Sequence, residues 1–281
     1  MNILDRMKGN AIVVPGVYDA LSAKIAESLG FDVIFQSGYS VSASVLGLPD
    51  YGLLNASEVI ERARYIASSV KIPLIVDIDT GYGNALTVRR IVRELENAGA
   101  KGIFLEDQLW PKRCGHMQGK QVISRGEYIQ KLRAALDARS SEEFIVVART
   151  DALEPLGIDE AIDRANEYAN IGADLVFIEA PRSVEEMARI CREVRAPLVA
   201  NMIEGGKTPL LSIDELEAMG FRFILYPLTA IFAAAYAMRD ALTLLKSRND
   251  TRSIMGRLIV FNEFNRLVGL DDMRSLEERY R

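Results

Sequence analysis

Eight short runs of β-branched and aromatic residues recur along this 281-residue chain, at 11–14, 33–36, 72–77, 102–106, 144–149, 175–179, 198–201 and 223–226. Between them lie segments whose apolar residues return every three or four positions, at 18–29, 57–69, 86–98, 125–138, 158–171 and 184–194, the spacing of amphipathic helices. IPLIV at 72–76 and FIVVA at 144–148 are apolar throughout, which suits parallel strands covered by helices on one side and packed within on the other. Gly30, Gly99, Gly172 and Gly220 stand just past periodic segments, where a left-handed residue ends a helix.

Unbroken alternation through eight units predicts an α/β chain closed into a (β/α)8 barrel, with residues 1–281 as one domain. No GxGxxG follows the first run, so an open dinucleotide-binding sheet gains no support. A barrel takes about 250 residues. The surplus lies at the end: 228–246 reads as one more long helix, 247–250 break the pattern, and 253–267 are helical again. Phe232, Tyr236, Leu258, Phe261 and Phe264 in this tail need cover, so segment 228–281 is expected to serve contacts between subunits.

Composition removes other classes. Lys and Arg number 34 against 39 Asp and Glu, a net charge of −5 that argues against a protein held on nucleic-acid phosphates. The longest nearly apolar stretch, 226–238, is interrupted by Pro227 and Thr229 and falls short of the roughly 20 residues of a membrane span. Asp5, Arg6 and Lys8 near the start do not read as a secretory signal, and two cysteines make no disulfide scaffold, so a cytoplasmic setting is expected. Cys191, inside a helical run, reads as a core thiol.

Barrel chemistry gathers at the carboxyl ends of the strands. The predicted ends carry Ser37-Gly38-Tyr39, Asp77-Ile78-Asp79, Glu106-Asp107, Arg149-Thr150-Asp151, Glu179 and Asn201. If the third strand continues, Asp77 and Asp79 share a face, and with Glu106 they form a hard-oxygen cluster suited to Mg²⁺ or Mn²⁺. The plainer reading has Asp79 capping the turn at Thr80-Gly81 and Glu106 pairing with Arg149. Arg149 has two uses open to it, forking a substrate carboxylate or pairing structurally with Glu179. Asn201, Glu204, Gly205-Gly206, Thr208 and Pro209 offer amide, carboxylate, hydroxyl and backbone donors, as an anion nest or as a simple turn. PKRCGH at 111–116 holds the only histidine, His116, beside Cys114. Lys112, Arg113 and His116 are expected to surround that thiol with a positive field that favours thiolate and ready proton exchange.

Five rim segments, SGYSVSASVLGLPD at 37–50, VDIDTGYGN at 76–84, EDQLWPKRCGH at 106–116, ARTDA at 148–152 and NMIEGGKTPL at 201–210, resemble the isocitrate lyase and phosphoenolpyruvate mutase superfamily, in order over 15–270. They are most similar to the branch acting on 2-methylisocitrate, 2,3-dimethylmalate and other 2-alkylmalates. The resemblance implies a Mg²⁺-dependent lyase, with Mn²⁺ as a substitute, that breaks a carbon–carbon bond in a 2-hydroxy dicarboxylate to release an α-keto acid such as pyruvate and a second carboxylate. It implies Asp77 and Asp79 as metal carboxylates, with Asp50 and Glu106 holding the metal's waters. Ser37, Gly38 and Tyr39 become the keto-acid carboxylate pocket, and Arg149, Glu179, Asn201, Thr208 and Pro209 the substrate contacts. A retro-aldol cleavage then asks Arg149, His116 and the Gly115 N–H to steady the developing charge. Cys114, on a mobile loop, protonates it, and Tyr39 or a metal-linked carboxylate takes the hydroxyl proton. The family also exchanges its last barrel helix within dimers that pair into tetramers. Alternatives are a carboxyphosphonoenolpyruvate or phosphoenolpyruvate mutase, an oxaloacetate decarboxylase, or a catalytically silent barrel.

Overall fold

The computed structural model describes residues 3–281. Eight parallel strands follow one another in chain order around a closed barrel: β1 Ile12–Val17, β2 Ile34–Gln36, β3 Leu74–Asp77, β4 Gly102–Glu106, β5 Ile145–Thr150, β6 Leu175–Ile178, β7 Leu198–Asn201 and β8 Phe221–Tyr226, which pairs back with β1. The predicted (β/α)8 fold is therefore present. β1 runs three residues beyond its predicted end, through Pro15 and Gly16. Pro15 aligns with Tyr226 of β8, and Gly16 is required because the backbone of Pro227 occupies the space a Cβ would take.

The inner core is stacked on Phe104, whose ring centroid lies 4.8 Å from Phe35, 5.9 Å from Phe223 and 6.1 Å from Phe177. Ile3 and Met7 join this inner cluster. A second core forms between the strands and the apolar stripes of the surrounding helices, among them Ala56–Ser69, Ala85–Asn97, Arg125–Ala138, Ile158–Ile171 and Val184–Glu193. Several start at built caps: Asn55 accepts from the Glu58 N–H while the Glu58 side chain accepts from the Asn55 N–H, satisfying two otherwise free donors.

Two connections bear on the site and the sequence reading. After β2 the chain folds into a short helix, Gly38–Val41, and a wide turn, Ser42–Leu46, ending at left-handed Gly47. Between β7 and β8 lies the helix Ile213–Met219. The long helix Thr229–Arg248 ends at Asn249, in the left-handed region, where the pattern breaks, and none of its residues is buried. The expected helix over 253–267 is instead a 3₁₀ turn, Arg252–Arg257, and a helix, Phe261–Leu267, followed by a further helix, Leu270–Arg279. Among the described residues no helix is long and apolar enough to cross a membrane.

Candidate active site

At the end of β3 the chain leaves the sheet. Asp79 takes a φ of 49°, unusual for a side chain with a Cβ, and its N–H donates to Asp77 Oδ1 at 3.1 Å. The strand does not continue as expected, because this tight turn intervenes, yet the two carboxylates still converge on the backbone of Gly38. A Cβ there would stand 3.0 Å from Asp77 Oδ2 and 3.4 Å from Asp79 Oδ1. Asp50 and Glu106 close the cup, and Asp50, Asp79 and Glu106 are all buried. Into it reaches Lys112, 3% exposed, with its Nζ 2.6 Å from Asp50 Oδ1 and 2.6 Å from Asp79 Oδ1. Burial alone would lower the Lys112 pKa; Asp79, Asp50, Glu106 and Asp77 overrule it and hold the ammonium charged.

Arg149, at the end of β5, is the second hub. It grips Asp151 through two hydrogen bonds of 2.8 and 3.1 Å, lies 3.3 Å from Glu106 and 3.2 Å from Glu179, and stacks over Phe177 at 5.3 Å. Burial works against the Glu179 charge, but Arg149 and His116 outweigh it and hold its pKa below the usual carboxylate range. Asn201 donates to both Glu179 oxygens at 3.3 Å. The structural Arg149–Glu179 pair is thus present and faces the same cavity that would receive a substrate carboxylate.

Residues 111–120 form a lid pinned at many points. The Cys114 N–H donates to the Asp50 carbonyl at 3.2 Å, and Lys120 donates to the Gly115 carbonyl at 2.6 Å and to Asp151 at 2.8 Å. Lys207 donates from its side chain to the Met117 carbonyl at 3.0 Å and to Glu154 at 2.7 Å. Gly115 packs so closely on Arg149 and Glu179 that a Cβ would lie 2.5 Å from each side chain. The Lys207 backbone N–H donates to His116 Nδ1 at 2.8 Å, and His116 Nε2 faces Glu179 Oε1 at 3.0 Å.

That network corrects the expected thiolate. Lys112 is engaged by Asp50 and Asp79, Arg113 turns to the Gln118 carbonyl at 3.0 Å and the Tyr51 ring, and the His116 ring turns to Glu179 and the Lys207 N–H. Burial therefore dominates and pushes the Cys114 thiol up to about 11, with the His116 backbone N–H pulling the other way. Cys114 is a protonated thiol. Burial likewise raises Tyr39, next to Cys114 and Asp50, so it is a phenol at neutral pH.

The lid shuts over a cavity of about 40 Å³. Of the residues predicted, Ser37, Tyr39, Asp50, Asp77, Cys114, Gly115, His116, Arg149, Glu179 and Asn201 line it, with Phe35, Ile203 and Leu228 as an apolar wall. Gly38, Asp79 and Glu106 stand directly behind that lining. Thr208 instead faces a small void on the other side of β7, with Ile178, Met187 and Phe221, and Pro209 follows it away from the cavity lining. Lys120, Asp151 and Lys207 were not singled out for this site. Their partners come from loops and strand ends far apart in sequence, and only the acidic Asp151 at a strand end offered a signal.

The carboxylate cup suits a divalent cation in composition. Six carboxyls, Asp50, Asp77, Asp79, Glu106, Asp151 and Glu179, meet three fixed cations, Lys112, Lys120 and Arg149. Asp77 has no ion pair within 4.0 Å among the described residues, and burial first and Asp79 second push its pKa up to about 6. Glu106 Oε1 is buried with no hydrogen-bond partner, and burial raises that residue well above the usual range despite Arg149. Surplus negative charge on hard oxygens is what Mg²⁺ or Mn²⁺ would relieve. The cup is not a ready coordination sphere, since no three acidic, His or Cys side chains of the described residues stand close enough, and the Lys112 ammonium lies between Asp50 and Asp79.

A closed barrel with a carboxylate cup, an arginine hub and a thiol-bearing lid defines the class, and the comparisons agree. The chain belongs to the phosphoenolpyruvate phosphomutase family, whose model matches residues 4–246. A 2,3-dimethylmalate lyase of Eubacterium barkeri is 46% identical over 269 residues, covering 96% of this chain and 93% of that protein. A chloroplastic carboxyvinyl-carboxyphosphonate phosphorylmutase of Arabidopsis thaliana is 49% identical over 273 residues, covering 96% and 80%. The solved structure of a phosphonopyruvate hydrolase in complex with oxalate and Mg²⁺ matches with a TM-score of 0.89 and 33% identity, over 99% of this chain and 96% of that one.

Proposed function

We propose that this protein is a carbon–carbon lyase that cleaves a 2-hydroxy dicarboxylate, of the 2,3-dimethylmalate, 2-alkylmalate or 2-methylisocitrate type, to an α-keto acid and a second carboxylate. One observation carries the reading: Cys114, a half-buried thiol with a pKa of about 11, lines the same cavity as Arg149 and the cup residue Asp77. A thiol held in its acid form beside a cationic hub is suited to delivering a proton to a carbanion.

Arg149, locked in place by Asp151, receives a substrate carboxylate, and Ser37 and Tyr39 offer hydroxyls at the other wall. The substrate hydroxyl loses its proton to the carboxylate rim, where burial has raised proton affinity. The central carbon–carbon bond breaks, its electron pair moves into the departing carboxylate as an enediolate, and Cys114 protonates that carbon. Proton return from the rim restores the thiol. Asp77, with Asp79, Asp50 and Glu106 behind it, would hold a divalent cation, Mg²⁺ first. Such an ion lowers the pKa of a coordinated hydroxyl and offsets charge on the nascent carbonyl. Lid closure through Lys120 and Lys207 keeps water from the intermediate.

The tail is assigned to assembly. Thr229–Arg248 buries none of its residues and exposes Phe232, Tyr236, Leu242 and Leu245, which supports exchange of this helix between subunits in dimers that pair into tetramers. The Arabidopsis relative favours a second reading, phosphorus–carbon bond chemistry on the same scaffold. A panel of 2,3-dimethylmalate, 2-methylisocitrate, oxaloacetate and phosphonopyruvate with Mg²⁺, followed by α-keto acid release, separates them: the first two should lead, and preference for phosphonopyruvate overturns the lyase.

A further inference from the structure

Three buried lysines stand near the carboxyl end of the barrel, Lys112, Lys120 and Lys131, at 3, 4 and 6% exposure. Carboxylates answer two of them, Asp50 and Asp79 for Lys112 and Asp151 for Lys120. Lys131, on the helix Arg125–Ala138, has no carboxylate within 4.0 Å among the described residues. Its Nζ donates to a single neutral acceptor, the Thr80 carbonyl, at 3.1 Å. Burial lowers its pKa, and only Glu127, one turn earlier and exposed, pulls the other way. An ammonium has three hydrogens to donate and is costly to bury with so little to receive them.

Lys131 lines a cavity of about 500 Å³ that shares no lining residue with the active-site cavity. That volume lies within the roughly 300–1,000 Å³ of small-molecule sites. Leu54, Ile123, Tyr82 and Trp110 form apolar walls, with the Tyr82 and Trp110 rings edge to face at 5.8 Å, and Glu127 also lines the cavity, its carboxylate more than 4.0 Å from the Lys131 ammonium. Trp110 is left 42% exposed.

We infer that this cavity is a binding site for a small organic monocarboxylate with an apolar or aromatic body, its carboxylate on Lys131 and its body against Tyr82 and Trp110. The charge of the ligand supplies what the chain withholds from Lys131, and the walls match an apolar remainder. The site is independent of the activity proposed above. It touches that machinery at two points: the Tyr82 hydroxyl donates to Asp79 Oδ2 at 3.1 Å, and Trp110 is two residues from Lys112 at the stem of the lid.

Trp110 is the only tryptophan of the chain, so its emission reports on the cavity. The test titrates the intact protein with phenylacetate and with neutral phenylacetamide. Phenylacetate should give a saturable change, with the amide about tenfold weaker or worse. Lys131→Met should bring the acid to the affinity of the amide, and Thr87→Phe, which fills the cavity from its rim, should abolish the response. Arg149→Gln removes the anion hub of the other cavity and should leave the phenylacetate titration within about twofold. Equal binding of acid and amide, an unchanged titration in Lys131→Met, or no saturable response overturns the site. So does loss in Arg149→Gln with retention in Lys131→Met, which would put the probe in the active site.

Discussion

The ammonium of Lys112 stands 2.6 Å from Oδ1 of Asp79, so a residue of the lid neutralises the carboxylate cup when the lid is shut. A cation and the lid lysine therefore draw on the same oxygens. Lys112→Gln should bind Mn²⁺ alone more tightly than the parent, by about three- to tenfold, because the cup loses its internal counter-charge. It should also lose at least about tenfold in kcat/KM. Calorimetric titration without substrate measures the first effect, and weaker Mn²⁺ binding by the variant contradicts it.

Asp77 is held at an electrostatic cost. Its folded pKa of about 6 lies above its ordinary 3.8, so the folded state binds that proton more tightly and loses stability as pH rises through this window. Asp77→Asn should accordingly be more stable by about 1–2 kcal/mol at pH 7. It should match the parent near pH 3.8 and be inactive. Melting curves at the two pH values decide it; a variant less stable at pH 7 refutes the sign.

Alkylation of Cys114 should follow a thiol with a pKa of about 11, rising with pH without a plateau below pH 10. Cys191 has a similarly raised pKa, so iodoacetamide rates are to be read in a Cys191→Ser background. A plateau near pH 7 would restore the thiolate.

Gly115→Ala tests whether the closed lid is the working state. The added methyl would meet Arg149 and Glu179 at 2.5 Å. Closure should fail and kcat fall by about 10²-fold, while Tm changes little. Trypsin should cut the lid at Arg113 faster than in the parent. Full activity would show that the lid need not close against this pair.

The barrel was legible because a parallel strand covered on both faces reads as a contiguous apolar run, and seven strands end within a residue of their expected ends. The apolar run of β1 stops at Val14 because Pro15 and Gly16 break it, although both fit the paired strand. Ile213–Met219 spans seven residues, barely two turns, so its apolar period is weak. In the site, position on the rim brought out the carboxylates, Arg149 and Cys114. What stayed hidden was how the charges are shared. Lys112 stands beside Cys114 in sequence yet is taken by Asp50 and Asp79, and Lys120 meets Asp151 across 31 residues only once the lid folds down. Local sequence therefore suggested a positive field at the thiol, whereas closure spends those charges elsewhere.

The most direct measurement compares α-keto acid release from 2,3-dimethylmalate and 2-methylisocitrate by the parent and by Cys114→Ser, with Mg²⁺ present. The account predicts pyruvate from at least one substrate with the parent and a kcat about 10²-fold lower or worse in the variant, with oxalate binding retained. Cleavage by Cys114→Ser at the parental rate, or no release by the parent from either substrate, would contradict it.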